Sequence, residues 1–129
     1  MKQSNWIQWA ALLGLSAVAI GAFGAHGLKP HLNEYQIQIY ETGVQYMFYH
    51  ALALLATGVL QHIKGDNNSL KWAGRLFIGG IACFSGSLFL LATRDLLAFP
   101  VGWAGPVTPI GGVMFMAGWL SLFLAVRKG

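Results

Sequence analysis

The chain has 129 residues, of which 56% are hydrophobic and only 9% charged, with a formal net charge of +4. Ordinary soluble domains carry about 25% charged residues, so this chain cannot clothe an apolar core for water. A soluble globule is excluded. So is a nucleic-acid binder, because the basic residues are scattered through short connections rather than gathered in a patch. Cys83 is the single cysteine, which rules out an intrachain disulfide.

The first apolar run covers residues 6–25. Lys2 before it and Ala22-Phe23-Gly24 near its end resemble a secretory signal and its cleavage site, but about 20 uncharged residues exceed a signal core of ~7–15. An uncleaved spanning helix is expected. At 100° per residue, Ala10, Gly14, Ala17, Gly21, Gly24 and Ala25 share one narrow face, the usual device for close helix packing in lipid. His26 follows in Gly24-Ala25-His26-Gly27.

Between Pro30 and Glu41 the chain is polar yet patterned. Asn33 and Gln36 have the spacing of a capping box, and Leu32, Tyr35 and Ile39 would share a face. A short amphipathic helix on the membrane surface is predicted, leading into a second span at about 42–62. Thr42, Tyr46, His50, Ala53, Thr57 and Gln61 share a face of that span and form the most polar stripe in the chain, whereas Leu52, Leu55 and Val59 lie off it. An ionisable group inside a membrane is a functional candidate. For His50 the competing reading is interhelical glue through Ser85, Ser87 or a carbonyl.

Gly65-Asp66-Asn67-Asn68-Ser69 is a solvated turn. The third span is predicted at about 75–94, with Gly79, Cys83, Gly86 and Ser87 on its packing face. Residues 96–109 are apolar but broken by Pro100, Pro106 and Pro109, so this loop must lie at the interface or tuck against protein. Thr108-Pro109 reads as an N-cap and first-turn proline for a fourth span at about 109–126. Its small residues are Gly111, Ala117, Gly118, Ser121 and Ala125. Trp6, Trp9, Trp72 and Trp103 fall near span ends, where indoles favour the headgroup layer.

The expected architecture is therefore all-α: a polytopic membrane protein, one domain over 1–129, with four transmembrane helices in a compact bundle. Lys2, Lys64, Lys71, Arg75, Arg127 and Lys128 fall on one side and Lys29 and Arg94 on the other. The positive-inside rule then puts both termini and the middle loop in the cytoplasm. Glu41 and Arg94, both at the outer boundary, are expected to pair and pin the second and third spans.

Catalytic chemistry finds little support. No phosphate-cradling loop, nucleophile elbow or zinc motif occurs, and no two histidines have i, i+4 spacing. A haem held by His26 and His50 is opposed by their difference in depth, so no metal or cofactor is assigned.

Four local patterns add a resemblance. They are Gly21-Ala22-Phe23-Gly24-Ala25-His26-Gly27-Leu28, then Glu41-Thr42-Gly43-Val44-Gln45-Tyr46 with Phe48-Tyr49-His50-Ala51-Leu52-Ala53-Leu54, then Phe84-Ser85-Gly86-Ser87-Leu88, and finally Thr108-Pro109-Ile110-Gly111-Gly112 with Gly118-Trp119. With them the chain resembles the small four-helix bacterial membrane proteins grouped as domain-of-unknown-function family 423. The resemblance covers nearly the whole chain and implies a bacterial inner-membrane protein. It brings no activity, substrate or cofactor. Within the motifs His26, His50, Ser85, Ser87 and Thr108 are the polar candidates, and Tyr46 joins them on the stripe. The main expectation is a structural or accessory membrane component in a lipid bilayer, acting as a homo-oligomer or with a membrane-protein partner. The rival is a small transporter or channel using the polar face around His50. A membrane enzyme or redox subunit would rest on His26 and His50 alone.

Overall fold

The computed structural model of the chain describes residues 5–127. Met1, Lys2, Lys128 and Gly129, on which the expected orientation partly rests, lie outside the described residues. Helix α1 (Trp6–Phe23) continues through a π-helical turn (Gly24–Leu28) and a 3-10 turn (Lys29–His31). Helix α2 is Glu34–Lys64. Helix α3 (Asn68–Gly80) passes through a second π-helical turn (Ile81–Ser85) into α4 (Gly86–Ala92), and α5 is Ala104–Arg127. The four rods so formed, Trp6–His31, Glu34–Lys64, Asn68–Ala92 and Ala104–Arg127, are each long and apolar enough to cross a membrane. No strand occurs among the described residues.

The helix ends follow local chemistry. Asn33 Oδ1 accepts the Gln36 N–H (2.8 Å) and Gln36 Oε1 accepts the Asn33 N–H (3.0 Å), so the capping box is complete. At the other end Gly65, with φ of 89°, closes α2 by donating its N–H to the Gln61 carbonyl. Only glycine adopts that backbone freely. Asn67 then caps α3 through the Leu70 N–H.

Two sequence expectations are corrected. The amphipathic segment is not a separate surface helix; it is continuous with the second span in one helix of 31 residues, ~46 Å long. Nothing breaks the helix between Glu34 and Thr42, and Gln36 and Tyr40 turn inward to 7% and 5% exposure. The last helix begins at Ala104 and not at Pro109, so Thr108 is inside it and is not its N-cap. Pro106 falls in the first turn, where its missing N–H is harmless, while Pro109 frees only the Gly105 carbonyl. Between α4 and α5, Val101 is buried at 1% while Phe99 and Trp103 are exposed, and Ala104, the first residue of α5, is buried at 0%. The apolar loop thus tucks its centre against protein.

Helix α2 is the hub. It packs along α1 on one side and along α3 and α4 on the other, and α5 packs on α3 and the second π turn. One core layer joins Ala10, Ala53, Leu54, Ala73 and Phe77; a second joins Ala17, Met47, Ile81 and Phe115, one from each rod. The closest approaches are at glycines. A Cβ on Gly111 would stand 2.3 Å from the Phe84 backbone nitrogen, and one on Gly58 2.9 Å from that of Ile7. Gly86, expected on a packing face, has nothing within 4 Å of such a Cβ. Trp6, the first residue of α1, packs over Gly58 and Gly74. The outward faces carry Leu12, Leu15 and Val18, Leu52, Leu55 and Val59, and Val113, Met116 and Leu120, all exposed. Such continuous apolar walls suit hydrocarbon as the surrounding solvent.

Candidate functional site

The most polar buried position is His50, 5% exposed, on the face of α2 turned towards α5. Its Nδ1 lies 2.7 Å from the Tyr46 carbonyl oxygen, one turn back on the same helix. Its Nε2 lies 3.0 Å from Trp119 Nε1 of α5. A carbonyl only accepts and an indole N–H only donates. Nδ1 must therefore carry the proton and Nε2 the lone pair, so the partners assign one neutral tautomer. An imidazolium would set two N–H groups against each other. The ring also stacks flat on Phe115, with centroids 3.6 Å apart and planes 6° apart, while Phe77 meets it tilted and Trp119 edge-on.

The remainder of the polar stripe is engaged in the same way. Thr42 donates to the Gln38 carbonyl and Thr57 to the Ala53 carbonyl, within α2 itself. Gln61, 2% exposed, donates to Asp66 Oδ1 at 2.8 Å. Tyr46 supplies its carbonyl to His50, while its ring is partly exposed and meets Phe84 at 4.8 Å. Apart from the contact of His50 with Trp119, the stripe is thus a series of local bonds, not a row of side chains facing a common channel.

The expected partners of His50 lie elsewhere. Ser85, fully buried, donates to the Gly43 carbonyl at 2.6 Å and ties the second π turn to α2. Ser87 pairs with Thr108 and joins α4 to α5. His26 is exposed in the first π turn. A haem bridging His26 and His50 is opposed by geometry, since the Nε2 lone pair of His50 is already taken by Trp119. No cluster of three or more metal-ligating side chains occurs among the described residues.

The expected Glu41–Arg94 pair does not form. Glu41 lines a cleft between α1 and α2, whereas Arg94 lines one bounded by Gln36 and Leu88. Residue 41 is simply on the wrong side of α2. Gln36, buried on the correct side, makes the link instead and donates to Asp95 Oδ2 at 2.9 Å. Because its Oε1 also holds the Asn33 N–H, one amide joins the start of α2 to the segment after α4.

Sequence reasoning named Gln36 only as a capping residue and Trp119 only within a motif, without their partners Asp95 and His50, and it missed Phe115 and Tyr40. A tryptophan near the middle of an apolar span, far from either headgroup layer, was the available signal for Trp119. Tyr40 donates to the Ile20 carbonyl at 2.6 Å just where α1 gives way to π-helical geometry. The Ile20 carbonyl also accepts the Gly24 N–H, so the hydroxyl adds a second bond there and ties α2 to the end of α1.

Fold and site together define a polytopic α-helical membrane protein whose central polar residue braces two helices. A family model described as "Protein of unknown function (DUF423)" matches residues 20–112. Similar proteins include a UPF0382 membrane protein of Staphylococcus aureus (strain bovine RF122 / ET3-1), 41% identical over 92% of this chain and 91% of its own length. Another is the UPF0382 membrane protein of Staphylococcus epidermidis (strain ATCC 12228 / FDA PCI 1200), 42% identical over the same shares. The UPF0382 membrane protein YwdK of Bacillus subtilis (strain 168) is 39% identical over 92% of each. No solved structure matches significantly. The chain belongs to the DUF423 family, as the motifs around His26, His50, Ser85 and Thr108 had implied.

Proposed function

We propose that this protein is a structural or accessory component of the cell (inner) membrane, not a transporter or an enzyme. The observation that carries this reading is the engagement of His50. A proton relay needs a histidine nitrogen free to exchange with water or another titratable group. Here one nitrogen donates to Tyr46 and the other accepts from Trp119, beneath a stacked Phe115. Such a group contributes a bond between helices and a fixed orientation.

The protein then acts through its lateral surfaces, as a homo-oligomer or against a membrane-protein partner. Helix α1 supports this, because only Ala10 and Ala17 of its residues are buried. Both termini face the cytoplasm in this reading, from the six-to-two split of basic residues across the two sides. A reporter active only outside the membrane should stay silent when fused at Gly129, and a strong signal would reverse the orientation. Protein reconstituted in vesicles loaded with a pH-sensitive dye should neither dissipate a proton gradient nor carry monovalent cations. A flux that His50→Gln abolishes would replace this reading with the transporter.

A further inference from the structure

Where α1 turns into α2, the surface carries two adjoining clefts. One, of about 280 Å³, is lined by Lys29, Glu41 and Gln45. The other, of about 350 Å³, is walled by Val18, Ala22 and Phe48. Gly21, Val44 and Gln45 border both. The two form one groove, charged at its mouth and apolar along its length. From Glu41 to Tyr49 it follows α2 for ~12 Å, within the ~15 Å of hydrocarbon in one leaflet.

Three polar side chains of this groove lack a partner among the described residues. Lys29 and Glu41 are exposed and form no ion pair there. Gln45 is exposed one turn further along α2 and forms no side-chain hydrogen bond there. An amide left bare on the lipid side of a span is costly, so its presence between a charged mouth and an apolar wall calls for a polar ligand at that depth.

We propose that this groove holds a phospholipid whose headgroup carries a primary ammonium beside its phosphate. Lys29 meets the phosphate, and Glu41 accepts hydrogen bonds from the ammonium. The Gln45 amide reaches an ester carbonyl one turn deeper, and an acyl chain lies along Val18, Ala22 and Phe48. The charges select the class. A quaternary ammonium has no N–H for Glu41, and an anionic headgroup without an amine would bring negative charge against it. The site does not depend on which side of the membrane the termini occupy, or on the role given to His50.

The test is native mass spectrometry of the full chain in mild detergent. Phosphatidylethanolamine, phosphatidylcholine and phosphatidylglycerol with identical acyl chains are added in turn. The protein should retain one ethanolamine lipid, with a preference of about tenfold, as expected for a hydrogen bond to a charged group. Glu41→Gln should abolish that preference. Ala22→Trp, on the exposed apolar wall, should abolish retention while leaving the lipid-free melting temperature unchanged. If Ala22→Trp lowers that temperature, the exposed Glu41→Gln variant still decides. Equal retention of all three lipids, a preference for the glycerol lipid, or an unaltered preference in Glu41→Gln would each overturn the proposal.

Discussion

Gly111→Ala adds one methyl group where α5 crosses the second π turn. Its Cβ would stand 2.3 Å from the Phe84 nitrogen and 2.7 Å from the Phe84 Cα, both backbone atoms that no rotamer change can move. Ordinary contact needs ~3.5 Å, so the two segments must part by about 1 Å. A gap of that size forfeits a quarter to a half of the ~0.1–0.2 kcal/mol in each atom contact across the seam. For roughly 40 such contacts, as many as a buried leucine makes, the loss is about 2 kcal/mol. Replacing a helical glycine by alanine returns ~1 kcal/mol, leaving a net destabilisation of about 1 kcal/mol. Gly86→Ala offers the control, because its Cβ enters open space and only the propensity gain of up to ~1 kcal/mol remains. The two substitutions should differ by about 2 kcal/mol, or roughly 30-fold in the unfolding constant, and in sign. Unfolding by SDS titration in mixed micelles, followed by circular dichroism, measures both. Equal effects of the two variants would refute the close approach at Phe84.

Other consequences can be checked in the same assay. A double-mutant cycle on His50→Leu and Trp119→Phe should give a coupling of about 0.6–1.7 kcal/mol, the range of interhelical hydrogen bonds in membranes; additive losses would mean the 3.0 Å contact carries no energy. Tyr40→Phe should destabilise by about 0.6 kcal/mol through loss of its bond to Ile20, and Gly24→Val by more, since the added Cβ enters the Tyr40 ring. If Tyr40→Phe is neutral, the hydroxyl does not hold α1 to α2. Gln36→Leu and Asp95→Ala should be coupled, whereas Glu41→Gln and Arg94→Gln should be additive; the reverse pattern would restore the ion pair first expected from the sequence.

The four spans were legible because hydropathy and length are properties of single segments. So were the capping box at Asn33 and the small-residue faces of α1 and α5, where Ala10, Ala17, Gly111 and Gly118 are all buried. Partnerships between segments were not legible. The positions of Glu41 and Arg94 at one boundary fixed their depth but not their azimuth, and about 100° per residue separates Glu41 from the inward Tyr40. Gly86 matched the packing period of its span yet faces open space, because the π turn at Ile81–Ser85 resets the phase of the helix. The partner of His50 also depended on rotation. Ser85, Ser87 or a carbonyl of a neighbouring helix was expected, but Ser85 and Ser87 are committed to Gly43 and Thr108, and the carbonyl His50 meets is that of Tyr46 on its own helix. The distance between α2 and α5 is instead bridged by the larger Trp119.

The protonation state of the His50 ring tests the central claim most directly. In protein carrying 15N-labelled histidine, solved in lipid bilayers by solid-state NMR, the two ring nitrogens report separately which one holds the proton. A braced His50 requires a neutral ring at neutral pH, with the proton on Nδ1 and an unprotonated Nε2 within reach of the Trp119 indole proton. A proton on Nε2, an imidazolium, or exchange with bulk water on the timescale of the spectrum would contradict the brace and return His50 to the candidates for transport.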